Sequence, residues 1–238
     1  MLPIAEDARP PPQGLNMAGA SEHGRIIAAA ATAALEPLGC VRRGQSRIWQ
    51  DDRRYWAINV EFQPSGWSKG SYLNVHVTWL WAAVTRGYQF SYRAGSFIPF
   101  ETAEQFAPLM ADMAATAAAE VKKVRERFKS YPAILAHIRA SAARRPDFWN
   151  DYDAGVASAL AGDIADAQQY FAQIDAWDTE GWPWRIPAKE NASRLKALLG
   201  SPQSFQNAIL ADIALRRQFM RLPPDAHCLD ELGSIVKP

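Results

Sequence analysis

Two cysteines in 238 residues, Cys40 and Cys228, are too few and too far apart for a disulfide framework. Such sparse thiol usage fits a reducing, cytoplasmic setting. Histidine is equally scarce: His23, His76, His137 and His227 are scattered, with no second thiol pair beside His227-Cys228. A structural zinc site needs four converging ligands, so neither metal nor cofactor is expected. Net charge is almost absent, +1 from 26 Lys/Arg against 25 Asp/Glu. That balance argues against a general nucleic-acid or membrane binder held by bulk electrostatics. Long apolar runs are missing too, since the Ala-rich stretch from Ile26 to Leu35 is too short to span a bilayer.

Catalytic signatures are also absent. There is no Gly-x-Ser-x-Gly elbow and no phosphate loop running into a helix. Gly66-Trp67-Ser68-Lys69-Gly70 mimics such a loop, but its flanks read as strands. Phosphate loops need the helix N-terminus that helps hold the anion. The opening segment Met1 to Gly14 lacks a basic region followed by an apolar one, so it does not read as a secretory signal. Its Arg9-Pro10-Pro11-Pro12 run predicts a disordered, Pro-rich tail over residues 1–20, with Met17 as an alternative start.

Apolar and aromatic residues are abundant: 48% of the chain is hydrophobic and nine residues are tryptophan. That suffices for a substantial core. Trp56, Ile58, Val60 and Phe62 alternate with polar residues, as do Leu73, Val75, Val77, Trp79 and Trp81. Period-two alternation predicts two half-buried strands joined at residues 64–71. Their opposite face would carry Asn59, Glu61, Asn74, His76 and Thr78, and a solvated sheet surface is expected there. Shorter strands are expected at 47–50 and 88–93.

Beyond Thr102 the period becomes helical. Phe106, Leu109, Met110, Met113, Ala117, Val121, Val124 and Phe128 form one stripe, in which Pro108 predicts a kink or a first-turn position. A helical hairpin is expected at 152–174, and further helices at 188–199 and 204–221. The expected class is α+β, an antiparallel sheet packed by helices and followed by a small all-α part. Its divisions are a tail at 1–20, an α+β domain at 21–145, a helical domain at 146–224 and a tail at 225–238.

Charge is blocked along the chain. Eight Lys/Arg lie between residues 120 and 145, whereas 146–184 holds eight acids and no Lys or Arg. The two blocks either face each other or leave an acidic, Trp-bearing face for a basic protein partner. Candidate binding residues are therefore Asp163, Asp166, Trp177 and Trp182, with Arg53, Arg54, Trp67, Lys69 and Tyr72 at the sheet end. The favoured expectation is a non-catalytic protein-binding module that neutralises or regulates a partner. One alternative is an enzyme using Glu61, Asn74 and His76. Another is a single-stranded nucleic-acid binder through Arg42, Arg43, Arg47, Trp49, Arg53, Arg54, Tyr55, Trp67 and Lys69. Nucleic acid is the weaker of the two partner classes, and no membrane partner is expected.

The run Leu35-Glu36-Pro37-Leu38-Gly39-Cys40-Val41-Arg42-Arg43-Gly44 before Trp49, then Ile58 to Gln63 and Gly70-Ser71-Tyr72-Leu73-Asn74-Val75, resembles a bacterial domain-of-unknown-function family (number 4304) over residues 22–140. Cys40 stands where that family usually has an aromatic, and Val75 at a position it often follows with Gly. The resemblance implies an α+β fold and brings no activity. Separately, Gly155, Ala167 and Phe171 are spaced as in a tetratricopeptide-type helix pair, though Asp151 and Ser158 occupy its Trp and Tyr positions. One copy makes no repeat array, and a chance antiparallel pair accounts for it as well.

Overall fold

The computed structural model describes residues 21–82, 87–230 and 232. The expected Pro-rich tail at 1–20, the alternative start at Met17 and most of the expected tail beyond 230 lie outside these residues.

Helix α1 (Glu22–Leu35) opens the described chain and leads through a short 3-10 turn to five strands. These are β1 (Val41–Arg42), β2 (Ile48–Asp52), β3 (Trp56–Gln63), β4 (Gly70–Trp79) and β5 (Phe90–Pro99), paired antiparallel in sequence order. Six helices follow: α2 (Ala103–Arg127), α3 (Tyr131–Arg144), α4 (Phe148–Leu160), α5 (Ile164–Ala176), α6 (Arg185–Ala197) and α7 (Pro202–Met220). The fold is α+β. Among the described residues no helix is long and apolar enough to cross a membrane.

The alternation sets the central register. Trp56 faces Trp79, Ile58 faces Val77, Val60 faces Val75 and Phe62 faces Leu73, all buried on the side where α2 packs. Directly opposed side chains share a face, so one register places the whole apolar set in the core. Trp81 lies past the end of β4 rather than within it. Its ring stacks 5.8 Å from Trp79, and its Nε1 donates to Asp153 of α4 at 3.2 Å. The sheet core and the later helices thus belong to one cluster of buried side chains running from Ile27 to Leu232.

Pro108 sits inside α2, past its first turn, and the helix continues through it. At the outer edge, the pairing of β4 with β5 shifts twice, between Ser71 and Leu73 and between Leu73 and Asn74. Bulges of this kind bend an edge strand and blunt it against pairing with another chain. At the start of β4, a Cβ on Gly70 would meet the Ile98 carbonyl at 2.3 Å, so only glycine allows the two strands to meet there.

The second sheet face is not solvated, contrary to the expectation. Gln50, Asn59, Asn74, His76 and Thr78 are all buried. Two buried arginines of α7 reach over this side: Arg217 pairs with Asp52, and Arg216 donates to the Gly87 carbonyl. Tyr88 stacks on the His76 ring at 3.9 Å. The polar groups satisfy one another instead of water, as buried polar groups must. Gln50 donates to Asn59 Oδ1 at 3.1 Å, and Asn59 donates to Thr78 Oγ1 at 3.2 Å.

Candidate functional site

Helices α4 and α5 form a hairpin whose turn, Ala161 to Asp163, follows the last turn of α4. Asp147 caps α4 by accepting from Trp149 N and Asn150 N at 2.9 and 2.8 Å. One turn further on, Asp151 stands three residues after buried Phe148 and four before Gly155, in a helix buried along most of its length. It is only 3% exposed. Trp177, just past α5, donates its indole Nε1 to Asp151 Oδ2 at 2.9 Å. Burial raises the Asp151 carboxyl above its usual pKa, the Trp177 hydrogen bond opposes that rise, and the Asp147 charge adds to it.

Asp151 faces a pocket of ≈490 Å³ between the end of α3, the start of α4 and α5. Trp177 and Tyr170 provide its aromatic walls, Gln169 and Gln173 its amides, and Asp166 its acidic rim. On the rim, Arg139 of α3 binds Asp163 at 2.6 Å and Asp166 at 2.8 Å. One guanidinium shared by two half-exposed carboxylates leaves that rim negative. The opposed charge blocks therefore do meet within the molecule, without full cancellation.

The sequence-derived candidates do not assemble into one site. Asp166 and Trp177 line this pocket, while Asp163 joins it only through Arg139. Trp182, half exposed, lies in a neighbouring cleft. Trp67 projects 99% exposed from the β3–β4 turn, whose other residues include Lys69. Tyr72 lies under the Arg93 guanidinium at 3.9 Å. Arg53 is exposed beside Arg54, which pairs with Asp225 at 3.2 Å and holds the C-terminal segment to the sheet. The aromatic and cationic set proposed for nucleic acid is also dispersed, because Trp49 and Tyr55 are buried in the core.

Sequence reasoning passed over Asp151 and Tyr170. The signal for Asp151 is an acid at core spacing, between Phe148 and Gly155 on one helical stripe.

The neighbouring cleft, ≈670 Å³, adjoins the start of β5, α3, the first turn of α4 and residues 182–185. Its cations are Arg144, Arg145 and Arg185. His137, also in its wall, is pushed down to about 4 by burial and then by Arg127 and Arg144. Ser91 lines the same cleft and lies 2.7 Å from His76 Nδ1, while His76 Nε2 lies 3.3 Å from Glu61 Oε2. The His76 hydrogen bond holds the Glu61 carboxyl below its usual pKa, against the effect of burial. Both ring nitrogens of His76 are engaged and Tyr88 covers one ring face, so this chain of contacts satisfies the buried sheet face. Among the described residues, no group of three or more His, Cys, Asp or Glu is arranged to hold a metal ion.

No family model, no curated protein and no solved structure matches the chain.

Proposed function

We propose that this chain is a non-catalytic protein-binding module that seats a lysine or arginine side chain of a basic partner in the Asp151 pocket, and so neutralises or regulates that partner. The observation that carries this reading is Asp151 itself. It is a buried carboxylate whose one side-chain hydrogen bond comes from a neutral indole, facing a cavity with two aromatic walls. A buried carboxylate without a cation is costly. An ammonium or guanidinium group entering the pocket supplies the missing charge beside the Trp177 and Tyr170 rings, the first of which already takes Arg185 at 5.5 Å. The negative rim at Asp163 and Asp166 favours approach by a basic surface.

The test is calorimetric titration with Ac-Gly-Lys-Gly-amide and Ac-Gly-Glu-Gly-amide. The lysine peptide is expected to bind and the glutamate peptide is not. Asp151→Asn is expected to weaken lysine binding by about 10- to 100-fold, the usual worth of a hydrogen bond to a charged group. The same variant is expected to fold without loss of stability, since an amide oxygen still accepts from Trp177 and no buried charge remains. Equal binding of both peptides, or unchanged binding by Asp151→Asn, would refute the reading.

A further inference from the structure

The cleft beside the Asp151 pocket has the opposite chemistry. Arg144 and Arg145 project from the end of α3 and make no ion pair among the described residues. Its carboxylate, Asp147, is committed to capping α4. Three guanidiniums against one carboxylate leave the cleft net positive where the aromatic residues gather.

Arg185 organises those rings. Its guanidinium carbon lies 5.0 Å from the Trp182 centroid and 5.3 Å from that of Trp184. Its Nη1 donates to the Asp178 carbonyl at 2.6 Å, but its Nε is buried without an acceptor. A buried orphan N–H is costly, and an anionic oxygen in the cleft would satisfy it after a small shift of the side chain. Trp182 is 51% exposed and turned edge-on to Trp184, which leaves it area on which a further ring can stack.

We propose that this cleft binds a small planar aromatic anion, its ring against Trp182 and its carboxylate or phosphate on Arg144, Arg145 and Arg185. The site differs from the Asp151 pocket in the charge of its ligand and in the side chains that hold it, although Arg185 also lies 5.5 Å from the Trp177 centroid.

The experiment is ligand-observed saturation-transfer NMR and calorimetry on the full chain. The probes are indole-3-acetate, phenyl phosphate, the neutral indole-3-acetamide, and acetate alone. Saturable binding of either aromatic anion is expected, with the neutral amide and ring-free acetate weaker by about tenfold or more. Phenylacetate, which shares its ring with phenyl phosphate, is the matched carboxylate, and the tighter of these two identifies carboxylate or phosphate as the preferred group. The double variant Arg144→Gln/Arg145→Gln removes exposed, unpaired cations and is expected to fold. It should lose roughly tenfold in affinity, as should Trp182→Ala, while Asp151→Asn binds these anions as the native chain does. Indole-3-acetamide or acetate binding as tightly as indole-3-acetate would overturn the proposal. So would a double variant that binds normally, or no saturable binding of either aromatic anion. Loss of anion binding in Asp151→Asn would show that the two sites are one, and would also contradict it.

Discussion

Replacing Arg125 with alanine is expected to cost about 3–5 kcal/mol of folding stability, the usual consequence of stripping one partner from a buried ion pair. Asp51 faces Ile58 across β2 and β3, so it lies on the core side of the sheet, with its side chain 5% exposed. Arg125 of α2 meets both its oxygens, Nε and Nη2 each at 2.9 Å, and Nη2 also donates to the Leu38 carbonyl. One guanidinium thus joins the sheet, α2 and the turn after α1. Alanine would leave a carboxylate in the core with no counter-charge. The apolar double variant Asp51→Leu/Arg125→Met should recover most of the loss, since a packed apolar pair replaces a buried ionic one at little cost. Urea unfolding measures both, read as a shift in midpoint at constant slope. A single variant within about 1 kcal/mol of the native chain would show that water reaches Asp51.

Phe171→Ala is expected to produce a loss of similar size, about 3–5 kcal/mol, by opening a cavity between α4 and α5. Its ring is 1% exposed, and a Cβ built on Gly155 would come within 3.0–3.2 Å of its ring carbons. The helices approach closely because glycine faces the ring. Gly155→Ala should accordingly destabilise the native chain by about 1–3 kcal/mol through overpacking, despite alanine's better helix propensity. In the Phe171→Ala background the same methyl has space, and its effect should become neutral or favourable. The two changes should therefore couple by at least about 1 kcal/mol in a double-mutant cycle. Additivity within about 0.5 kcal/mol would mean that the two residues do not touch. This hairpin also carries Asp151 and forms one wall of its pocket, so its close packing positions the site.

The parts of this fold that were legible in the sequence share one property: their side chains repeat with the period of the backbone. The pairing of Trp56–Phe62 with Leu73–Trp79 follows from period two, and the long α2 stripe from Phe106 to Phe128 follows from a period near 3.6. What covers the other sheet face was not legible. Its cover includes Arg216 and Arg217, which look solvent-bound in sequence, and their partners Gly87 and Asp52 lie more than 120 residues away. Trp49 and Tyr55 went unrecognised as core residues for a related reason. Their neighbours Arg47, Arg53 and Arg54 make the stretch look like a cationic surface, although alternation in β2 sends Trp49 inward and Tyr55, in the bend before β3, stacks on Trp81 at 6.2 Å.

The candidate site was legible only in outline. The acidic block and Trp177 marked the right hairpin. Asp163 and Asp166 read in sequence as a free acidic pair, yet in the fold they share Arg139. Asp151 was counted within the block, while its distinguishing feature is position rather than charge. A carboxylate on the buried stripe of a helix breaks the local rule, and such breaks concentrate at sites of function.

The most direct test of the Asp151 site is the pH titration of the Trp177 indole N–H signal by NMR, with and without Ac-Gly-Lys-Gly-amide. Because that N–H donates to the Asp151 carboxylate, its shift reports when the acid ionises. The midpoint should lie above the ordinary carboxylate value in the free protein and move to lower pH when the peptide is bound. A midpoint at the ordinary value, or one the peptide leaves in place, would contradict this assignment.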